Sequence, residues 1–392
     1  MVELFEISYY RLNKILLSII GQWPFQSIKE AYITFIIMIA FLLSQLYLQV
    51  TSMLNYWPDM EMVVESLSPL IIASICTAKI SNCIMNKNKM KNLLRIMQNH
   101  WTSLNGSSDI KILRNYANDS QKMTMLYTRI LYGALVVFMI VPTLQSIAEN
   151  VLPGRNQTYP LLFPVDNVVN VEKYHKILLI HSYVSTFYFI TILISVDTMF
   201  ITYVTHGCGM FAVLGHQLKN VSPRSIQKPE EWCNDADDEV HRKILIYIKN
   251  HIEVLHFAEL LQSTYSTSFL FQMGINIAVM SVTGVQIVMN LDNPDQAMRW
   301  LSSGLGQVLH LYMNSLPCQR LIDHSISIQE AIYSAPWYTF PLKTRHLIKI
   351  ILMRVFIPCQ ITAGKLYVMS MESFSVVLKT SMSYFTVLLS MR

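Results

Sequence analysis

The sequence predicts an all-α integral membrane protein with seven transmembrane helices, its N-terminus in the cytosol and its C-terminus outside the cell. Three observations carry that prediction. Of the 392 residues, 52% are hydrophobic and only 14% charged, whereas soluble domains carry about 25% charged residues; mean hydropathy is +0.35. Apolar runs long enough to cross a bilayer recur along the chain. Lys and Arg gather in alternate connections between those runs.

The elements follow in chain order. The opening "MVELFEISYYRLNKILLSII" places Glu3 and Glu6 ahead of a short apolar run without a small-residue cleavage site, so it reads as a cytosolic or interfacial helix instead of a cleaved signal. Residues 1–30 form this N-terminal segment. Apolar runs then lie at about 31–52, 62–85, 130–149, 177–205, 264–290, 298–317 and 366–391. The second holds Glu65, Pro69 and Lys79, and the sixth Arg299 and His310, which blurs their edges. The first six spans, with their helical loops, make a bundle over residues 31–317.

Orientation follows from the connections. The N-terminus carries Arg11, Lys14 and Lys29; the 86–129 loop carries eight Lys or Arg; the 206–263 and 318–365 connections carry six each. The 53–61 and 290–297 loops carry none, and the 150–176 loop only Arg155, Lys173 and Lys176. The basic set faces the cytosol. Asn156, in the sequon Asn156-Gln157-Thr158 of the long outer loop, is the glycosylation candidate.

Two cytosolic connections have helical character. "DDEVHRKILIYIKNHIEVLHFAELLQ" has acids before its first turn and apolar residues near helical spacing, and it runs into the fifth span as one long helix. "PLKTRHLIKIILMRVF" (341–356) is a basic amphipathic helix, too short and charged to span; it belongs to cytosolic anchor helices over 318–365. In the last run, 366–392, Lys365, Glu372 and Lys379 are spaced by seven, placing them on one helical face as a cation path, a subunit contact or, as favoured here, packing charges.

Several functions are excluded or weakened. The basic balance of +5 lies between apolar runs and not on one soluble face, so no nucleic-acid partner is indicated. No P-loop, G-x-S-x-G, paired carboxylates or Gly-rich phosphate cradle is present, so the chain is not read as an enzyme and no cofactor is implied. The six cysteines show no C-x-x-C spacing and indicate neither zinc nor a disulfide framework. His206 and His216 are ten apart, which argues against a metal. Asp197, a carboxylate inside the fourth span, is read as paired with a basic or hydroxyl group from a neighbouring helix.

Three stretches then carry a resemblance: "IKNHIEVLHFAELLQ" (248–262), "SAPWYTF" (334–340) and, most specifically, "ITAGKLYVMSMESFSVVLKTSMSYFTVL" (361–388). With seven spans and an internal N-terminus, the chain resembles the insect odorant receptors. Gustatory receptors share that architecture, but their last helix typically bears T-Y-x5-Q-F, from which "SYFTVLLS" departs; a G-protein-coupled receptor would show the opposite charge pattern and a D-R-Y-like or N-P-x-x-Y motif, and a secondary transporter internal repeats.

The resemblance implies a multi-pass plasma-membrane protein of olfactory sensory neurons. It would be a ligand-selective subunit of an odour-gated, non-selective cation channel, four subunits round one pore. The larger co-receptor, Orco, is the implied partner, and a small volatile organic molecule the implied ligand. The last helix would line the pore, with Val387 and Met391 at a hydrophobic constriction and Ser390 between them. The ligand pocket would lie in the outer half, among the second, third, fourth and sixth spans. Transferring that position nominates Leu67, Ile71, Met139, Thr143, His181, Ser185, Tyr188, Leu301 and Leu305; lipid-facing or packing roles stand as the plainer reading for each.

Overall fold

The computed structural model describes residues 3–6, 8–57, 60–151, 161–163, 169–221, 233–292 and 294–390. Among them it has ten α-helices: α1 Ser8–Ile19, α2 Ile28–Asn55, α3 Met60–Met85, α4 Lys87–Leu104, α5 Ile110–Val151, α6 Val171–Lys219, α7 Cys233–Met289, α8 Pro294–Ser334, α9 Leu342–Val355 and α10 Met371–Ser390. A hairpin, β1 Thr362–Ala363 with β2 Tyr367–Val368, precedes α10. Asn156, Met391 and Arg392 lie outside the described residues.

The first six apolar runs fall in α2, α3, α5, α6, α7 and α8, and the seventh begins in the hairpin before α10. Stretches within α2, α5, α6 and α7 are long and apolar enough to cross a bilayer by length and composition alone. The α3 segment from Pro69 meets α4 at a 70° bend, where the apolar run ends and Lys87, Lys89 and Lys91 begin. Asn86 fastens the bend by donating from Nδ2 to the Thr264 carbonyl of α7 at 3.2 Å. The 41-residue α8 and 20-residue α10 are long enough to cross, since 20 residues rise about 30 Å, but both carry polar faces.

Four of the helices exceed any bilayer, the 41-residue α8 among them. The 57 residues of α7 extend about 85 Å, as expected for a fifth span continuous with the helix before it. Likewise α6 has 49 residues and α5 42. Their extensions, with α1, α4 and α9, form a packed body outside the apolar zone. The N-terminal 3-10 turn and α1 join it through aromatic contacts: Phe5 meets Trp23 edge-on, with ring centroids 5.5 Å apart, and Trp101 of α4 donates to the Tyr10 hydroxyl at 3.1 Å.

The hairpin corrects one reading. The seventh helix begins at Met371 and not at 366, because Gly364 and Lys365 both have positive φ, +59° and +63°, as a type I′ turn requires. Gly364 donates its N–H to the Ser266 carbonyl at 3.0 Å, and a Cβ there would lie 2.5 Å from Leu270 Cδ2. Only a glycine fits that contact with α7. Lys365 therefore sits on the turn, and only Glu372 and Lys379 of the spaced trio share a helix face. Ser370 caps the new start, its Oγ accepting from Ser373 N at 3.2 Å.

Candidate functional site

Four helices, α3, α5, α6 and α8, meet at one buried polar knot. Asp197 of α6 is 2% exposed. One of its carboxylate oxygens takes the Lys79 ammonium of α3; the other accepts the Tyr127 hydroxyl of α5 at 3.0 Å and lies 3.1 Å from His310 Nε2 of α8. Each helix contributes one side chain. A lone carboxylate would be costly at this depth, so the cluster persists only with all partners in place. The sequence anticipated the kind of partner but not which residues supply it.

From the knot outward, the nominated residues divide. Thr143 Oγ1 and the Tyr183 hydroxyl are 2.6 Å apart, and Tyr183 also donates to the Met139 carbonyl at 3.1 Å; this joins α5 to α6. His181, Ser185 and Tyr188 gather against α2: His181 Nε2 is 2.8 Å from Ser44 Oγ, Ser185 donates to the Phe41 carbonyl at 3.2 Å, and the Phe41 ring lies 5.6 Å from that of His181 and 6.1 Å from that of Tyr188. His181 Nδ1 is buried without a hydrogen-bond partner. Leu67 and Ile71 on α3 are half-buried.

Leu301 and Leu305 do not join them, being 45% and 63% exposed on α8. Sequence position missed Phe41, Ser44 and Tyr183. The signal for α2 was available, because Ser44, Gln45, Gln49 and Ser52 interrupt an apolar helix at helical spacing. A crevice of about 10 Å³ beside Gln45, Leu48, Phe163, Leu178 and Ser182 has room for a single water; Gln45 Oε1 and both amide atoms of Gln49 are buried there or nearby on α2 without partners.

The last helix has two unlike faces. Val377 and Ser381 are buried, and the Ser381 carbonyl accepts from Ser281 Oγ of α7 at 3.1 Å. A Cβ on Gly284 would come within 2.9 Å of the Phe385 ring, so the glycine lets α10 lie close to α7. The opposite face is exposed and carries Glu372, Lys379, Ser383, Thr386 and Ser390 with Val376 and Val387. That spacing of three, four and seven keeps one stripe over the full helix.

This architecture defines a polytopic α-helical membrane protein with a polar-faced terminal helix. The model of the 7tm Odorant receptor family matches residues 59–382, and the chain belongs to that family, with its seven-spanning fold. Among relatives, odorant receptor 13a of Drosophila melanogaster is 22% identical over 362 residues, covering 87% of this chain and 83% of that one. The odorant receptor coreceptor of Drosophila melanogaster is 24% identical over 182 residues, 45% of this chain and 36% of its own. The solved structure of the insect olfactory receptor OR5 from Machilis hrabei in complex with eugenol superposes with a TM-score of 0.74 at 15% identity, covering 97% of each chain.

Proposed function

We propose that this chain is the ligand-selective subunit of an odour-gated, non-selective cation channel, assembled with the odorant co-receptor in the plasma membrane of olfactory sensory neurons. Family membership supports the receptor role. The observation that carries the channel role is the polar stripe of α10. A helix that packs one face on α7 and carries Glu372 and Lys379 on the other, beside hydroxyls that donate to carbonyls of their own helix, sets that second face against lipid only at the cost of burying charge. It faces water or other subunits, as a pore helix does. Val387, 52% exposed, and Ser390 stand at the end of this stripe; with Met391 they form the gate, closing the pore by excluding water.

The reading includes an orientation. The basic connections place the N-terminus, residues 1–30, and the anchor region over 318–365 in the cytosol, with residues 366–392 leading to the outer surface. Asn156 is then accessible to glycosylation. The ligand, a small volatile organic molecule, binds in the outer part of the 31–317 bundle between the polar knot and the outer surface, where Leu67, Ile71, Met139, Thr143, His181, Ser185, Tyr188, Leu301 and Leu305 are the candidate contacts. His181 is the best of them, because its buried Nδ1 lacks a partner that a ligand oxygen would supply. A ligand opens the pore by the margin with which it prefers the open bundle, about 1.4 kcal/mol for each tenfold shift.

Two experiments test the reading. A glycosylation-acceptor tag fused after Arg392 should be modified in microsomes; an unmodified tag, with Asn156 modified in the same molecules, would put the C-terminus in the cytosol and overturn both the seven-span topology and the pore assignment. With the co-receptor co-expressed, Ser383→Cys and Thr386→Cys should make the odour-evoked current sensitive to a charged thiol reagent applied in the open state. Current unaffected at both positions would remove α10 from the pore.

A further inference from the structure

A second cavity, unlike the crevice near α2, opens on the other side of the polar knot. It encloses about 250 Å³ between α5, α6 and α8, lined in part by Tyr116, Asp119, Met123, Cys208, Arg320 and His324. Its depth is set by sequence register. Cys208 and Arg320 each lie three residues past the apolar runs ending at 205 and 317, about 5 Å beyond them, which is the depth of lipid headgroups.

The cavity's chemistry is that of a phosphate site with hydroxyl-binding walls. Arg320 is exposed, and its guanidinium contacts Met123 Sδ at 3.6 Å; among the described residues no carboxylate lies within 4.0 Å of it. Its planar fork suits two phosphate oxygens. Behind it, the Tyr116 hydroxyl is 2.6 Å from His324 Nε2, and His324 Nδ1 is 2.8 Å from the Arg320 carbonyl. His324 donates through Nδ1 to that carbonyl; in that tautomer Nε2 accepts and Tyr116 donates. The phenol oxygen keeps lone pairs for a ligand hydroxyl. Asp119, on the rim, is 3.5 Å from Lys122, and Asp323 takes an amide of Gln319 at 2.9 Å. A carboxylate on the rim favours a headgroup of one negative charge over a polyphosphate.

An exposed apolar face that continues from the cavity along α5 points to a lipid as the occupant. Asp119, Met123, Leu126, Ile130, Gly133 and Val137 follow one face of α5 by steps of three and four. Leu126, Ile130 and Val137 are 57%, 40% and 65% exposed, and nothing lies within 4 Å of a Cβ built at Gly133. An acyl chain can follow this stripe into the hydrocarbon while its headgroup occupies the cavity.

We infer that the cavity between α5, α6 and α8 binds a phospholipid carrying a single anionic phosphodiester and a hydroxylated headgroup, held by Arg320 and Tyr116. The proposed topology puts this site in the inner leaflet; the terminal tag tests that placement, and lipid binding is read separately. The full chain, purified with its co-receptor and stripped of lipid, is titrated with fluorescent short-chain phosphatidylinositol and, separately, phosphatidylcholine. Phosphatidylinositol should bind at least about tenfold more tightly, Arg320→Gln should remove that preference, and Arg320→Lys should restore part of it. Gly133→Leu, which puts a branched side chain in the middle of that apolar face, should weaken lipid binding and spare inositol monophosphate. Equal binding of the two lipids, or an Arg320→Gln complex that behaves as the unmodified one, overturns the inference. So does inositol monophosphate binding as tightly as the lipid, which would make the site one for a soluble anion.

Discussion

Asp197 holds three other helices through hydrogen bonds made at two oxygen atoms, so its removal strands the most charge. Asp197→Ala leaves Lys79, 1% exposed, without a counter-ion, and the expected cost is about 3–5 kcal/mol. The double variant Lys79→Met with Asp197→Leu should cost less than the sum of the single changes, since no unpaired charge remains. Folded yield and melting of the purified variants check this; additive losses would mean that the pair is not coupled. A second buried group responds to acid. His100 Nδ1 lies 3.0 Å from His206 Nε2, and burial pushes the His100 imidazole down to about 4 from 6.5. The unfolded chain takes up that proton first, so the stability from keeping it neutral is complete above about pH 6.5 and is lost as pH falls towards 4. Melting temperature should decline through that window, and less steeply in His100→Leu.

At the scale of elements, α10 and its hairpin make the sharpest demands. Gly364→Ala would force a side chain into positive φ against Leu270, and a loss of about 1–3 kcal/mol is expected, read as lower surface expression and melting temperature. The same hairpin shows where sequence reading runs out. "ITAGKLYV" is apolar enough to join a span, and hydropathy does not distinguish a buried strand from a helix; the Gly364-Lys365 pair was the signal, legible only as a turn. The helices themselves were legible because apolar runs and basic flanks are local properties. The polar knot was legible only in kind: Lys79, Tyr127, Asp197 and His310 are dispersed over more than two hundred residues, and spacing says nothing of which will meet. The tilt of His181, Ser185 and Tyr188 towards α2 was hidden for the same reason, since a helix face is fixed by its neighbours.

For the whole molecule, the reading of a ligand pocket coupled to a distant gate has a quantitative consequence. If ligand occupancy and pore opening are two ends of one equilibrium, each must shift the other by the same factor. Val387→Ser makes the exposed constriction wettable without touching the outer half of the bundle, so the basal current of the channel formed with the co-receptor should rise several-fold. Linkage then requires that odorants act at lower concentration on this variant, because part of the closed-state penalty has been removed before they bind. Conversely, His181→Phe, which keeps the ring contact with Phe41 and removes the nitrogens, should change the concentration for half response and leave the unliganded current as it was. Dose-response recordings on both variants, at matched surface expression, read both quantities. A Val387→Ser channel with raised basal current and unchanged odour sensitivity would separate the gate from the pocket, and the two sites would then belong to different equilibria.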